Sequence, residues 1–381
     1  MDNFTHSLVG VAAAKAGLEK LSPGATVVCL LAANAPDADI VSLLLGDRWT
    51  YLHHHRGITH SIAGTLVIAL LIPLVFYTFD RVIAWLRQTI PKVHLRGLTV
   101  ASLLASATHP LMDWTNNYGV RPLLPWSGEW FYGDLVFIID PFIWFLIGGA
   151  TFLATAKSRS QKVFWIVVAA TVTLIIMFAG SRPGAAVPSW LRYTWVPGLV
   201  VLIYLFRLGL PEKLGPRIPQ VAFVVLLMYW GTLALLQQRA LEQADAKASV
   251  IATMFGESVT DVAAMPTLAN PLRWQGVVET ERAAYRFELS LPAAGDRHDF
   301  VRHERPEILE PAVASRALTS RPARVFLGFA RFPVARLSDA NCTSSTLVQL
   351  ADLRYTEPGS RRGTFSVEIP VECPAQVASG K

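Results

Sequence analysis

The sequence predicts an α-helical integral membrane domain of about eight helices over residues 1–238, followed by a small, mainly antiparallel β soluble domain over residues 239–381. Three observations predict this division. The 381 residues are 52% hydrophobic and only 16% charged, whereas soluble domains carry about 25% charge. Apolar runs near the bilayer-crossing length of about 17–25 residues recur through the first part and stop near residue 236. The charges divide at the same place. Residues 239–381 hold 17 basic and 17 acidic side chains, so the net +6 belongs wholly to residues 1–238, with 17 basic and 11 acidic. The apolar content excludes a disordered chain. The excess cations lie in short loops between apolar runs, a positive-inside pattern and not a nucleic-acid patch.

Taken in order, the clear spans are Ile62–Phe79, Leu135–Ala156, Val163–Gly180 and Val221–Leu236, with Leu98–Met112 and Trp195–Leu210 shorter. Thr5–Leu18 and Ala25–Leu45 complete the eight, the second interrupted by Asn34-Ala35-Pro36-Asp37-Ala38-Asp39. The start MDNFTH has no basic segment before its apolar stretch, so no cleavable signal peptide is expected. In an eight-helix alternation, twelve Lys and Arg between Lys15 and Arg217 fall on one side. Five (Arg48, Arg56, Arg121, Arg182 and Arg192) fall on the other. The first side is therefore expected in the cytoplasm, and the N-terminus, the loops 46–61, 113–134 and 181–193, and the C-terminal domain outside it. Cys342 and Cys373 both lie in that domain, where they would form a bridge in an oxidising compartment or remain free thiols.

The C-terminal part begins with a polar helical stretch, roughly Gln237–Phe255. Trp274–Glu279, Tyr285–Leu291, Arg324–Phe332, Thr346–Leu353 and Thr364–Val371 are then rich in β-formers and separated by Pro, Gly, Asp and Asn, which predicts strands. His298 and His303 fall in a charged stretch and read as solvated.

The chemistry-bearing residues are clustered in the membrane part. His6, His53, His54, His55, His60 and His109 fall on or beside the outward ends of the predicted helices, and only His94 falls on the other side. Asp37, Asp39, Asp113, Asp134 and Asp140 lie in or border apolar segments. A charged group at bilayer depth costs about 2.5–3.5 kcal/mol on the insertion scale, so such a residue is functional by default. A shared cation offsets several of them at once. His109 and Asp113 are four apart, one helical turn on one face. His55 and His60 flank Arg56-Gly57, a loop leading into a helix, and Pro36 breaks a helix to present Asp37 and Asp39. Imidazole and carboxylate together are the donors of zinc and related transition-metal sites. The predicted ligands are His6, Asp37, Asp39, His55, His60, His109 and Asp113, too many for one tetrahedral ion, so two or more divalent ions are expected, zinc foremost. A lone interfacial His is ordinarily a hydrogen-bonded anchor, and one H-x-x-x-D arises by chance. The convergence of four segments on one predicted membrane face favours metal. Arg56 reads as a holder of a phosphate or carboxylate oxygen, or as a headgroup anchor. Asp134 and Asp140 read as candidates for a general base or an outer support of the metal, and Asp140-Pro141 equally as a helix cap.

The same residues carry a resemblance. Asp2-Asn3-Phe4-Thr5-His6-Ser7, Pro36-Asp37-Ala38-Asp39, His55–Ser61, His109–Gly119 and Leu123–Trp126 resemble, in order and spacing, the motifs of the bacterial inner-membrane metal-dependent hydrolases. That group is sometimes labelled LexA-binding and is predicted to act like phospholipases. Asn270–Trp274 and Asp352–Tyr355 are similar to segments of its longer members. The resemblance implies a helical multi-zinc scaffold related to the zinc-dependent phospholipase C fold and a multi-pass protein of the bacterial cytoplasmic membrane. The expected function is a metal-dependent hydrolase at the outer face, acting on a membrane lipid or lipid-linked (phospho)ester. The competing readings are a metal- or proton-coupled transporter, whose ionisable residues belong near the midplane, and a non-enzymatic membrane scaffold.

Overall fold

A computed structural model describes residues 1–179, 188–291, 299–339, 345–360 and 365–372; Cys342, Cys373, Arg182 and His298 lie outside these. The chain forms two compact units, one of Met1–Asp39, Arg56–Ala234 and Pro266–Pro271, the other of Ile40–His55, Leu235–Met265 and Leu272–Lys381.

The first unit is helical. It contains α1 (Asn3–Lys15), α2 (Ala25–Asn34), α4 (Ile62–Leu86), α5 (Leu95–Trp114), α6 (Pro141–Thr155), α7 (Arg159–Ala179), α8 (Ser189–Arg207), the short α9 (Leu210–Leu214) and the first half of α10 (Arg217–Phe255). Among the described residues, five segments are long and apolar enough to cross a membrane: Ala25–Leu44, Ile62–Leu86, Arg159–Phe178, Ser189–Arg207 and Arg217–Phe255. The other three expected spans are the 13-residue α1, the 15-residue α6 and α5. The predicted run Leu135–Ala156 gives up its first six residues, because Asp140 and Pro141 start the helix there. α1 and α5 present buried faces of small and polar residues to their neighbours, such as Ala101, Ser102, Ala105 and Ser106 on α5. Small residues allow helices to approach closely. A Cβ on Gly10 of α1 would lie 2.8 Å from the Cys29 carbonyl of α2.

Caps fix the helix starts that matter for the site. Asp2 accepts from the Thr5 amide at 2.9 Å and opens α1. Ser61 accepts from the Gly64 amide at 3.0 Å and opens α4. At the end of α2 the chain tightens into a 3-10 helix over Ala35–Leu44, which carries Asp37 and Asp39.

The second unit contains α3 (Arg48–His54), the second half of α10, most of strands β1 (Val259–Thr267) and β2 (Asn270–Thr280), β3 (Ala283–Ser290) and β4 (Val301–Glu304), then α11 (Pro311–Leu318), α12 (Arg321–Phe329), β5 (Pro333–Leu337), β6 (Ser345–Asp352) and β7 (Ser366–Glu372). One sheet has the order β1-β2-β3-β4 and the other β5-β6-β7. The pairings of β2 with β3, β3 with β4, β5 with β6 and β6 with β7 are antiparallel, with Trp274 opposite Leu289 and Val334 opposite Ala351. Ala240, Ala244, Ala248 and Ile251, at helical spacing on α10, pack on Trp274, Val278 and Tyr285.

Two local expectations change. Arg324–Phe332 is not a strand: Ser320 caps α12 by accepting from the Ala323 amide at 3.4 Å, and Pro322 sits in its first turn. Ala323, Phe326 and Phe329 are then buried three residues apart, a helical and not an alternating period. The charged stretch around His303 forms β4, with His303 opposite Ala284. Trp49 and Leu52 of α3 join the hydrophobic cluster of α11, α12, β6 and β7, and Arg321 donates to Asp47 at 3.2 Å and to Thr50 at 2.7 Å.

Candidate metal centre

Three pieces of the first unit build the centre: the 3-10 helix after α2, the turn before α4, and the C-terminal part of α5. One donor atom each from Asp37, His60, His109 and Asp113 lies within 4.8 Å of all the others, an arrangement that could hold a metal ion. His109 and Asp113 sit one turn apart on the buried face of α5, with Nε2 3.5 Å from Oδ2. His60 closes the 3-10 turn Ile58–His60, and its Nε2 lies 3.3 Å from Asp37 Oδ1, 3.4 Å from Asp113 Oδ2 and 3.1 Å from His109 Nε2.

The hydrogen bonds around the cluster set its polarity. His109 Nδ1–H donates to the Ala33 carbonyl at 2.6 Å, so its Nε2 presents a lone pair inward. His60 turns Nδ1 to Thr59 Oγ1 at 3.1 Å and to Asp39 Oδ2 at 3.5 Å, which leaves its Nε2 facing the same point. Burial pushes the His60 imidazole down to about 3, against the pull of Asp37, and so keeps it neutral. Two imidazole lone pairs and two carboxylates thus converge on one point. Acceptors repel one another unless a cation lies between them, so the donor set fits a divalent ion of the zinc type.

His6 adds a fifth group. Its ring is fully buried and stacks on His109 at 3.7 Å between centroids, with Nε2 3.4 Å from Asp113 Oδ1. Neither ring nitrogen finds a hydrogen-bond partner among the described residues, and Asp113 Oδ2 accepts none there either. Buried polar atoms in that condition are uncommon and call for a ligand or ion. The Met1 amino group also contacts Asp113 Oδ1.

Arg56 is bound into the protein. It is 3% exposed, with a φ of 51°. Its Nη2 donates to Asp113 Oδ1 at 3.0 Å, and its Nη1 donates to Asn116 Oδ1 and the Gly119 carbonyl, both at 3.0 Å. The guanidinium lies 4.4 Å over the Tyr118 ring, and the Arg56 amide donates to Asp39 Oδ2 at 3.0 Å. The stretch after Asp113 is therefore a clamp for Arg56, which in turn orients Asp113 and leaves Asp113 Oδ2 to the two histidines.

The remaining predicted residues make further contacts. Asp39 supports His60 and Arg56 from outside the four-residue cluster. His55 belongs to the second unit and stacks on Tyr51 at 4.7 Å. Asp140 caps α6, accepting from the Phe142 and Ile143 amides at 2.8 and 3.2 Å, and takes the Tyr229 hydroxyl at 3.0 Å. Asp134 is buried in the loop that runs back along the end of α5, where the Leu135 amide donates to the Thr115 carbonyl. Asn116, Tyr118 and Gly119 are partners of Arg56 that the sequence motifs do not single out for that role. Their one signal is their place in the stretch following Asp113. The Ala33 carbonyl has no side-chain signal at all.

These observations define a helical membrane protein with a buried His/Asp cluster able to hold a metal ion. Residues 1–183, just under half of the chain, match the family described as YdjM inner membrane protein. The chain is similar to the uncharacterized protein YfhP of Bacillus subtilis (strain 168), 31% identical over 153 residues, covering 38% of this chain and 43% of that protein. It is also similar to the inner membrane protein YbcI of Escherichia coli (strain K12), 34% identical over 118 residues, covering 30% of this chain and 62% of that protein. The chain thus spans about half the length of the curated relatives it matches. No solved structure matches it significantly. The family match and the five apolar helices fit a multi-pass inner membrane protein.

Proposed function

We propose that the chain is a metal-dependent hydrolase of the bacterial inner membrane, acting on a membrane lipid or a lipid-linked (phospho)ester. One observation carries this reading: the convergence of Asp37, His60, His109 and Asp113 within 4.8 Å, with both imidazoles turned to present Nε2. These four residues would hold the metal, with His6 beside them on the other oxygen of Asp113. A zinc-type ion supplies an activated water near neutral pH and a Lewis acid for the scissile oxygen. The chain's own part is to fix the donors. Arg56 holds Asp113, Asp39 holds His60, the Ala33 carbonyl fixes the tautomer of His109, and burial excludes bulk water. Asp140 is assigned the capping role its contacts describe.

The lipid class is supported by the position of the donors, at the ends of helices beside the apolar segments Ala25–Leu44 and Ile62–Leu86. The Lys/Arg asymmetry supports an outer-face site and an extracytoplasmic C-terminal domain. The test is elemental analysis of detergent-purified protein together with product release from phospholipid substrates. Bound zinc-type ions and hydrolysis, both lost in His109→Ala, are expected. Protein that takes up no divalent metal refutes the reading.

A further inference from the structure

Away from the centre, α6, α7 and α8 enclose a cavity of about 170 Å³ whose walls are almost entirely apolar. Phe4, Trp144 and Trp195 line one end, and Phe152 and Trp165 the other. The ring pairs agree with that layout: Phe4 meets Trp144 at 5.6 Å, Phe145 meets Trp195 at 5.6 Å, and Phe152 meets Trp165 at 6.1 Å. From Trp144 to Phe152 on α6, and from Trp195 to Ile203 on α8, the cavity follows eight residues of helix, about 12 Å at the helical rise. It is a slot parallel to the helices.

Three tryptophans in a wall would ordinarily bring three indole N–H donors. Here each donor is turned to a threonine hydroxyl: Trp144 to Thr5 at 2.9 Å, Trp165 to Thr155 at 2.8 Å and Trp195 to Thr173 at 3.0 Å. What remains facing the slot is ring carbon. A cavity of this size without polar partners does not hold water, and left unfilled it forfeits dispersion contacts along its lining. Small residues keep it open: Gly148 and Gly149 line it, and a Cβ at Gly149 would lie 3.3 Å from Leu202. The slot is also continuous with the outer surface of the helices. Ile166 and Ile203 line it while remaining 67% and 49% exposed, so an apolar molecule can enter sideways from a bilayer.

We infer that this slot is a binding site for one unbranched acyl chain of a membrane phospholipid. A slot that runs along the helices, opens to their outer surface and offers almost no polar lining suits a linear hydrocarbon chain. The polar end of the lipid belongs at the Phe4–Trp144 end, where Asp2 lies one turn before His6 and Thr5 directly before it. The site itself is independent of the hydrolase reading. That its occupant is the substrate's chain rests on that reading.

The test is photolabelling of full-length protein in phospholipid nanodiscs, using phosphatidylglycerol with a diazirine at the end of one acyl chain. Label is expected on peptides of α6, α7 and α8 that contain Phe152, Trp165 and Ile203. Ala169→Trp, which fills the slot, should lower that labelling at least tenfold. Leu174→Trp, on the 56% exposed side of α7, should not. An excess of straight-chain lysophosphatidylglycerol should displace the label from the parent protein, which keeps the inference testable if Ala169→Trp does not fold. Labelling spread evenly over exposed and lining positions, unchanged in Ala169→Trp, or displaced by a polyisoprenyl phosphate instead, overturns it. The two readings separate when labelling and hydrolysis are both measured on metal-loaded protein. Label that persists while no hydrolysis is ever found removes the hydrolase and keeps the chain site; hydrolysis without slot labelling does the reverse.

Discussion

Replacing Arg56 by Met tests whether this side chain is part of the scaffold of the centre. The guanidinium is 3% exposed and bridges Asp113 to Asn116 and Gly119. Methionine retains much of the volume and removes every donor. Removing one partner of a buried ion pair costs about 3–5 kcal/mol, because the other charge is left uncompensated. Losing an outer-shell support lowers metal affinity by about 10–100-fold, equivalent to about 1.4–2.8 kcal/mol. The stability term is the larger. Arg56→Met should therefore unfold at a clearly lower temperature with and without metal, and in addition bind Co²⁺ at least tenfold more weakly. Arg56→Lys keeps the charge but not the fork that reaches Asp113, Asn116 and Gly119 together, and should fall between. The assays are thermal unfolding in detergent and Co²⁺ titration by absorbance. An Arg56→Met protein with parental unfolding temperature and affinity within about twofold would refute the clamp.

Four further outcomes are expected. His109→Ala and Asp113→Ala should each lose bound metal by elemental analysis and lower any hydrolysis by orders of magnitude. His94→Ala should do neither, since His94 contributes its backbone N–H to Ser22 at 2.9 Å before α5, a bond the substitution retains. Gly64→Ala should weaken metal binding, because a Cβ there would lie 1.8 Å from the Ile58 carbonyl and must displace the turn that carries His60; Co²⁺ titration reads this. Arg354→Met should destabilise the second unit by about 3–5 kcal/mol, seen as earlier proteolysis within residues 265–372, because it strips a fully buried Asp352 of its partner at 2.7 Å.

Much of the centre is legible in the sequence because its ligands are chemically expensive where they stand. Carboxylates and imidazoles inside apolar runs admit few explanations, and the four-residue spacing of His109 and Asp113 by itself places both on one helical face. The cap at Asp140 is legible for the same local reason: before Pro141 it behaves as its position implies. Arg56 is not, since one arginine serves a ligand, a helix or an anion with the same residue type, and only the placement of Asn116 and Gly119 decides. α12 reads as a strand because its aromatic and β-branched residues favour strands locally, whereas the period of its buried positions is helical. The packing of Trp49 and Leu52 against α11 and α12 has no local trace, because it joins parts of the chain more than 250 residues apart.

That last separation has a consequence for the order in which the protein is made. The residues that contact Asp113 or hold Arg56 against it, from Met1 and His6 through Arg56 and His60 to Asn116 and Gly119, all lie within the first 119 positions. The centre can then close before the rest of the chain is made. The intervening segment 40–55 cannot. Its partner Arg321 lies 274 residues beyond Asp47 and is made long after the centre. Until Arg321 is made, the segment between Asp37 and His60 lacks the partner it has in the folded protein. In that interval Trp49 and Leu52 lack the residues that cover them in the folded protein.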